Sequence, residues 1–242
     1  MRRTEISNQA GIRICLVNPK LEGPYPPLGL GYLAAYLLRY GAYKYDIKII
    51  DGNYSDDILR DILDFSPSIV GFTALSPQIK AAVELSSALR EREPGVFQII
   101  GGIHVSAEPE LTLRKGGFDL AVVGEGEKAF QEIVDGFIKC SGKAQFFIQI
   151  EGIAYLNQNS FVITPPRKEI EMLDTIPVPD RSLFNMRGYL SNYLMIRGLF
   201  GNKITTIHTS RGCPYSCIFC SCGIVFKKVR YFSIDYVIAE VR

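Results

Sequence analysis

The sequence predicts a doubly wound α/β sheet, flavodoxin- or Rossmann-like, with five parallel strands, followed by a linker and the first strand–helix unit of a second domain. Three observations predict it. Five short runs rich in Val and Ile alternate with segments of helical periodicity over the first 140 residues. Alternation of this kind requires crossover connections and a sheet covered on both faces. The runs end in Asn, Asp, Thr or Gly, the residue types that turn a chain from strand to helix. After Cys140 the pattern gives way to a short hairpin signal and a proline-punctuated stretch.

In order, the strands are expected at 12–17, 47–50, 69–72, 97–100 and 120–123, and the helices at 28–40, 57–65, 79–92, 108–115 and 128–139. Each strand run is β-branched and continuous rather than alternating, which suits burial on both faces. Each helical segment repeats apolar residues at three and four. Residues 153–156 and 161–164 flank Asn157-Gln158-Asn159-Ser160, a polar turn that suits a hairpin. Prolines 165, 166, 177 and 179 then mark an extended connector. Beyond it, 203–209 reads as one further strand and 233–242 as a helix with Ser233 at its N-cap. The expected units are therefore 1–145, a hairpin and linker over 146–200, and a second domain that begins at 201–242.

At 242 residues and 47% hydrophobic content the chain can bury a large core. A net charge of +2, with both signs scattered, leaves no electrostatic footprint for nucleic acid. A small-molecule substrate is the expected partner. There is no secretory apolar region near Met1-Arg2-Arg3 and no bilayer-length apolar run. A reducing cytoplasm is expected, where clustered cysteines bind metal or do redox work. Four of the six cysteines fall between Cys213 and Cys222. Thiolates this close together can converge on one soft-metal or iron–sulfur centre. A four-thiolate zinc site is the competing reading, although zinc ligands usually come as two separated pairs. Ligands of doubly wound sheets sit at the carboxyl ends of the strands, here 18–19, 51–52, 73–76, 101–102 and 124–127. The glycines at the last two ends are either turn residues or places where backbone approaches a ligand. No dinucleotide fingerprint and no phosphate P-loop is present.

Thr209-Ser210-Arg211-Gly212-Cys213-Pro214-Tyr215-Ser216-Cys217-Ile218-Phe219-Cys220 is a Cys-x3-Cys-x2-Cys loop after a predicted strand. It resembles the radical S-adenosylmethionine (SAM) enzymes. The resemblance implies that Cys213, Cys217 and Cys220 hold a [4Fe–4S] cluster at the start of a (β/α)6 barrel, that SAM takes the open iron, and that an electron from a donor cleaves it to a deoxyadenosyl radical. Phe219 matches the aromatic position near the adenine, and Cys222 lies outside the triad. The 26–37 run, Val70-Gly71-Phe72-Thr73, Gly101-Gly102-Ile103-His104-Val105-Ser106 and Gly124-Glu125-Gly126-Glu127 together resemble the cobalamin-binding domain of the cobalamin-dependent radical SAM class. That resemblance implies that Thr73, Leu75, Ser76, Gly101, Gly102, His104, Gly124, Glu125 and Gly126 line the slot for the cofactor's nucleotide tail. Glu125 and Glu127 are equally expected as acidic residues at a helix start.

One departure concerns cobalt. Where histidine-ligating cobalamin domains carry Asp-x-His-x-x-Gly, this chain has Lys20-Leu21-Glu22-Gly23, so no histidine is available and a base-off, histidine-free state is implied. His104 is then a loop histidine or a cobalt contact, and His208 is structural. The function implied is methyl transfer or cyclisation on a small molecule. The alternatives are a cobalamin-binding carrier without radical chemistry and a zinc-stabilised interaction protein. Because the sequence stops after one strand–helix unit of the barrel, a truncated form, a split gene product or a fragment inactive alone is expected, with a separate chain as a possible source of the rest.

Overall fold

The computed structural model describes residues 11–23, 25–140, 144–191, 194–196, 199–201, 203–215 and 217–242. Strand β1 (Ile12–Asn18) is central: Ile14 and Leu16 enter the core on one face, Cys15 and Val17 on the other. Burial of both faces is what the unbroken apolar run from Ile14 to Val17 requires. It pairs in parallel with β2 (Tyr45–Asp51) and β3 (Ile69–Thr73), and β4 (Phe97–Gly101) and β5 (Leu120–Val122) continue the sheet.

Helix α1 (Leu28–Tyr40) covers one face of the sheet, and α2 (Ile58–Phe65), α3 (Ile79–Arg92), α4 (Ile103–Ala107) and α5 (Pro109–Lys115) the other; α6 (Glu127–Lys139) returns to the α1 face. Helix α2 starts where Asp57 accepts the Arg60 N–H at 3.0 Å, and it ends at Ser66 in the left-handed region.

The sheet has seven strands, not five. Its order is β2-β1-β3-β4-β5-β6-β7, and the predicted hairpin, β6 (Ile153–Asn157) and β7 (Ser160–Ile163), is added antiparallel to β5. The hairpin joins because β6 is itself a core strand. Ile153 packs on the α1 face and Ala154 on the other, both fully buried.

Beyond the sheet lie α7 (Met186–Ser191), the small antiparallel pair β8 (Leu194–Ile196) and β9 (Leu199–Gly201), then β10 (Ser210–Arg211), α8 (Cys222–Val225), β11 (Arg230–Tyr231) and α9 (Ile234–Val241). The strand expected at 203–209 is a loop. Regular pairing is confined to β10 against β11, antiparallel, with Arg211 opposite Arg230. Among the described residues no strand pairs with 203–209 to receive a ladder of hydrogen bonds, so its apolar residues alone do not make it a strand. Ser233 caps α9 as predicted, its Oγ accepting the Tyr236 N–H at 3.1 Å. Leu28 and Tyr32 of α1 pack against Leu173 and Ile176 of the linker and Phe232, which seats the C-terminal segment on α1. Among the described residues no helix is long and apolar enough to cross a membrane.

Candidate functional site

A cavity of about 360 Å³ runs from the carboxyl ends of β3, β4 and β5 down the α1 face of the sheet. Gly71, in the middle of β3, lines the cavity with backbone only, and Leu16 and Phe130 pack so close that a Cβ there would lie 2.9 Å from Leu16 Cδ2 and 3.2 Å from Phe130. Leu30, Leu33, Ile99, Val122 and Phe130 make the walls apolar.

The rim is backbone. Gly102 has φ +112°, and a Cβ there would sit 2.6 Å from Ala74 O; Gly124 has φ +90°. Only glycine adopts these conformations without strain. Ser106 joins the two glycine loops, donating to Gly102 O at 3.0 Å and accepting the Gly124 N–H at 3.0 Å. Of the predicted site residues, Thr73, Gly101, Gly102, Gly124, Glu125 and Gly126 line the cavity. Leu75 and Ser76 are exposed just outside it, and Ser76 Oγ lies 3.0 Å from His104 Nδ1.

The other wall belongs to the C-terminal segment: His208, Ser210, Arg211, Gly212, Cys222, Val225 and Phe226. Arg211 is nearly buried and donates to Glu125 Oε1 at 3.0 Å and Glu127 Oε1 at 2.5 Å. Arg230 donates to both oxygens of Glu125 at 2.9 Å and to Ile170 O at 2.7 Å. Burial pulls the Glu125 carboxyl upward, but hydrogen bonds from Arg230, the Ile170 N–H and Arg211 outweigh it and hold the group below the usual carboxylate range. Burial works against the Arg211 charge, yet Glu127 and Glu125 raise its pKa and keep it protonated. Neither glutamate caps α6 through its side chain; Glu127 sits in the first turn, where a carboxylate suits the helix dipole, and binds Arg211 instead.

Tyr32 lies between these groups. The Arg211 guanidinium is 5.2 Å from its ring centre, His208 is stacked at 5.8 Å, and burial followed by the Glu240 charge pushes the phenol up to about 12. Desolvation, Arg211 and Arg181 hold His208 below its ordinary value, so it is neutral at pH 7. This stacked place fits the structural role expected of it.

The cysteine loop is strung between β10 and β11. Gly212 begins it at φ +93°, where a Cβ would lie 2.2 Å from Lys228 O. Cys213, Cys217, Cys220 and Phe219 are exposed, and Cys222, at the start of α8, lines the cavity. The Cys220 N–H donates to Cys217 O at 3.0 Å, and the Cys222 N–H reaches Cys220 Sγ at 3.4 Å. Among the described residues no three Cys, His, Asp or Glu side chains gather into a metal-binding group. The donor set therefore fits an iron–sulfur cluster by its chemistry, three soft thiols on one short loop, rather than by a closed cage.

Where a histidine-bearing loop would follow β1, the structure has a closed polar network. Asn18 Nδ2 donates to Asp51 Oδ1 at 3.0 Å, Gln78 Nε2 to Asn18 Oδ1 at 2.8 Å, and the Tyr189 hydroxyl of α7 to Asp51 Oδ2.

A sequence profile of the B12-binding domain matches residues 14–134, from β1 to α6 and across both glycine loops. The chain belongs to the B12-binding family. An uncharacterized methyltransferase of Pyrococcus horikoshii is 36% identical over 95% of this chain and 50% of its own length. The anaerobic magnesium-protoporphyrin IX monomethyl ester cyclase of Cereibacter sphaeroides is 28% identical over 87% of this chain and 35% of its own. Among solved structures, the radical SAM methyltransferase TsrM from Kitasatospora setae, with cobalamin and a [4Fe–4S] cluster bound, superposes with a TM-score of 0.72 at 20% identity, over 96% of this chain and 46% of that one. The B12-binding chain thus spans half or less of these relatives, and its resemblance to the cobalamin-dependent radical SAM class is borne out. Sequence reasoning left Gly71, Tyr32 and Arg211 out of the site. A glycine inside a strand was the available signal for the first; the other two depend on a seam formed by residues more than 80 positions apart.

Proposed function

We propose that the cavity binds the nucleotide tail of cobalamin, that Cys213, Cys217 and Cys220 hold a [4Fe–4S] cluster with SAM, and that the chain is the cobalamin-binding part of an enzyme performing methyl transfer or cyclisation on a small molecule. The observation that carries this reading is the shared wall: residues flanking the cysteine triad, Arg211, Gly212 and Cys222, line the same cavity as the glycine loops. The buried, unpartnered Glu127 Oε2 and the cavity lined by Gly71 and the glycine loops both suit a bulky ligand bearing N–H donors. When bound, the cluster supplies the electron that cleaves SAM and the corrin carries the methyl group. The chain's own residues orient and enclose. Gly101, Gly102 and Gly124 let backbone approach, Leu30 and Phe130 exclude water, and Arg211 holds the start of the cysteine loop against the cavity.

The same site serves a cobalamin carrier without radical chemistry, the reading favoured by the exposed and unclustered cysteines. Anaerobic reconstitution with iron, sulfide and hydroxocobalamin, followed by absorption spectra and metal analysis of wild type and Cys217→Ala, separates the two. Corrin bands in both proteins, with a broad cluster absorbance lost only in the variant, supports the enzyme reading. Corrin without cluster leaves the carrier; zinc without corrin removes both. A reducing cytoplasm, an electron donor and a second chain completing the barrel belong to this proposal.

A further inference from the structure

Buried polar atoms without a hydrogen-bond partner among the described residues are Tyr32 Oη, Glu127 Oε2, Arg230 Nε, Tyr236 Oη and Glu240 Oε2. All lie where α1 and the β5–α6 loop meet the C-terminal segment. Buried groups of this kind cost free energy unless something completes them. Glu127 differs from the others in its connections: it lines the cavity, one of its oxygens holds Arg211, and the other is free. Arg211 in turn stands two residues before Cys213, separated from it only by Gly212, which has φ +93° and no room for a side chain beside Lys228 O.

We propose that Arg211 is a positioning residue that couples the filling of the cavity to the geometry of the cysteine loop, through a carboxylate it shares with the ligand. Glu127 Oε2 is enclosed, so a carboxamide N–H of the occupant would donate to it only as the carboxylate turns toward the cavity. The Glu127 carboxylate then serves two donors, and the place of Arg211, hence of Cys213, depends on whether the second is present. Glu125, fixed by Arg230, Arg211 and the Ile170 N–H, is the anchor against which Arg211 shifts. Coupling of this kind is reciprocal: a loop ordered by its cluster alters corrin affinity by the same factor as corrin alters the loop's.

The inference rests on the cavity being the cobalamin site, and its test uses hydroxocobalamin as the probe. Its dissociation constant is measured on the full 242-residue chain, cluster-free and cluster-reconstituted, for wild type, Arg211→Gln, Arg211→Lys and Glu127→Gln. The wild-type ratio of the two constants is expected to depart from one by about fivefold or more, the lower end of ordinary coupling. Arg211→Gln and Glu127→Gln bring that ratio to near one whatever happens to absolute affinity, and Arg211→Lys restores part of it. A purely structural ion pair would change both constants together and leave the ratio intact, which overturns the proposal; so does a wild-type ratio of one. Should Arg211→Gln fail to fold, the nearly isosteric Glu127→Gln decides. A wild-type chain that takes up no corrin overturns the cavity reading itself, a result distinct from corrin binding without coupling.

Discussion

Gly102 and Gly124 illustrate how two positions with the same backbone requirement differ in what surrounds them. Both have positive φ, but a Cβ on Gly102 meets Ala74 O at 2.6 Å, whereas one on Gly124 meets nothing within 4 Å. Alanine at Gly124 is expected to cost about 1 kcal/mol of backbone strain, and alanine at Gly102 clearly more, because strain and collision add. Urea unfolding curves compare the two; equal midpoints would contradict the collision. Glu125 carries a pH signature. Its folded-state pKa is depressed, so its contribution is complete above the unfolded value of about 4.3 and is lost as pH falls through the lower folded value. Between pH 6 and pH 3 the urea midpoint of wild type should therefore fall further than that of Glu125→Gln. Parallel curves would mean that the Arg230 and Arg211 contacts do not hold the carboxyl in solution.

At the scale of elements, legibility followed how local the signal was. Helices α1 and α3 coincide with their predicted bounds, because periodicity and flanking residues within one segment decide them. The five parallel strands were legible for the same reason. Hairpin β6–β7 was legible as a hairpin but not as part of the sheet, since its partner β5 is chosen by a core assembled from both faces. The 203–209 strand was overread: Ile204 and Ile207 supplied strand-like residues, but a strand also needs a neighbour. In the site, the glycine loops were visible as turn chemistry, while Arg211 and Tyr32 were not, because a buried ion pair between distant segments leaves no spacing pattern. The cysteine triad was legible as a ligand set. Its exposed, unclustered arrangement was not, since spacing specifies which thiols share a loop and not how that loop lies.

The whole molecule is a covered sheet with an uneven outer surface. Apolar side chains are shielded over most of it, yet Ile218, Phe219, Tyr231, Ile234 and Val241 of the C-terminal segment are all more than 70% exposed. Exposure concentrated in one segment favours association. Sedimentation velocity should show self-association that rises with concentration and is weakened by Ile234→Glu; a monomer at every concentration would refute it. The seam between sheet and C-terminal segment also has an order in time. Glu125 and Glu127 leave the ribosome 84 to 105 residues ahead of Arg211 and Arg230, a lag of roughly 5–20 s at ordinary rates of synthesis. During that interval the nascent sheet can collapse around its own core, and Glu125 can meet the Ile170 N–H, but Glu127 still lacks Arg211. The seam therefore closes after the sheet has collapsed, and until then a newly made chain keeps the mouth of its cavity open.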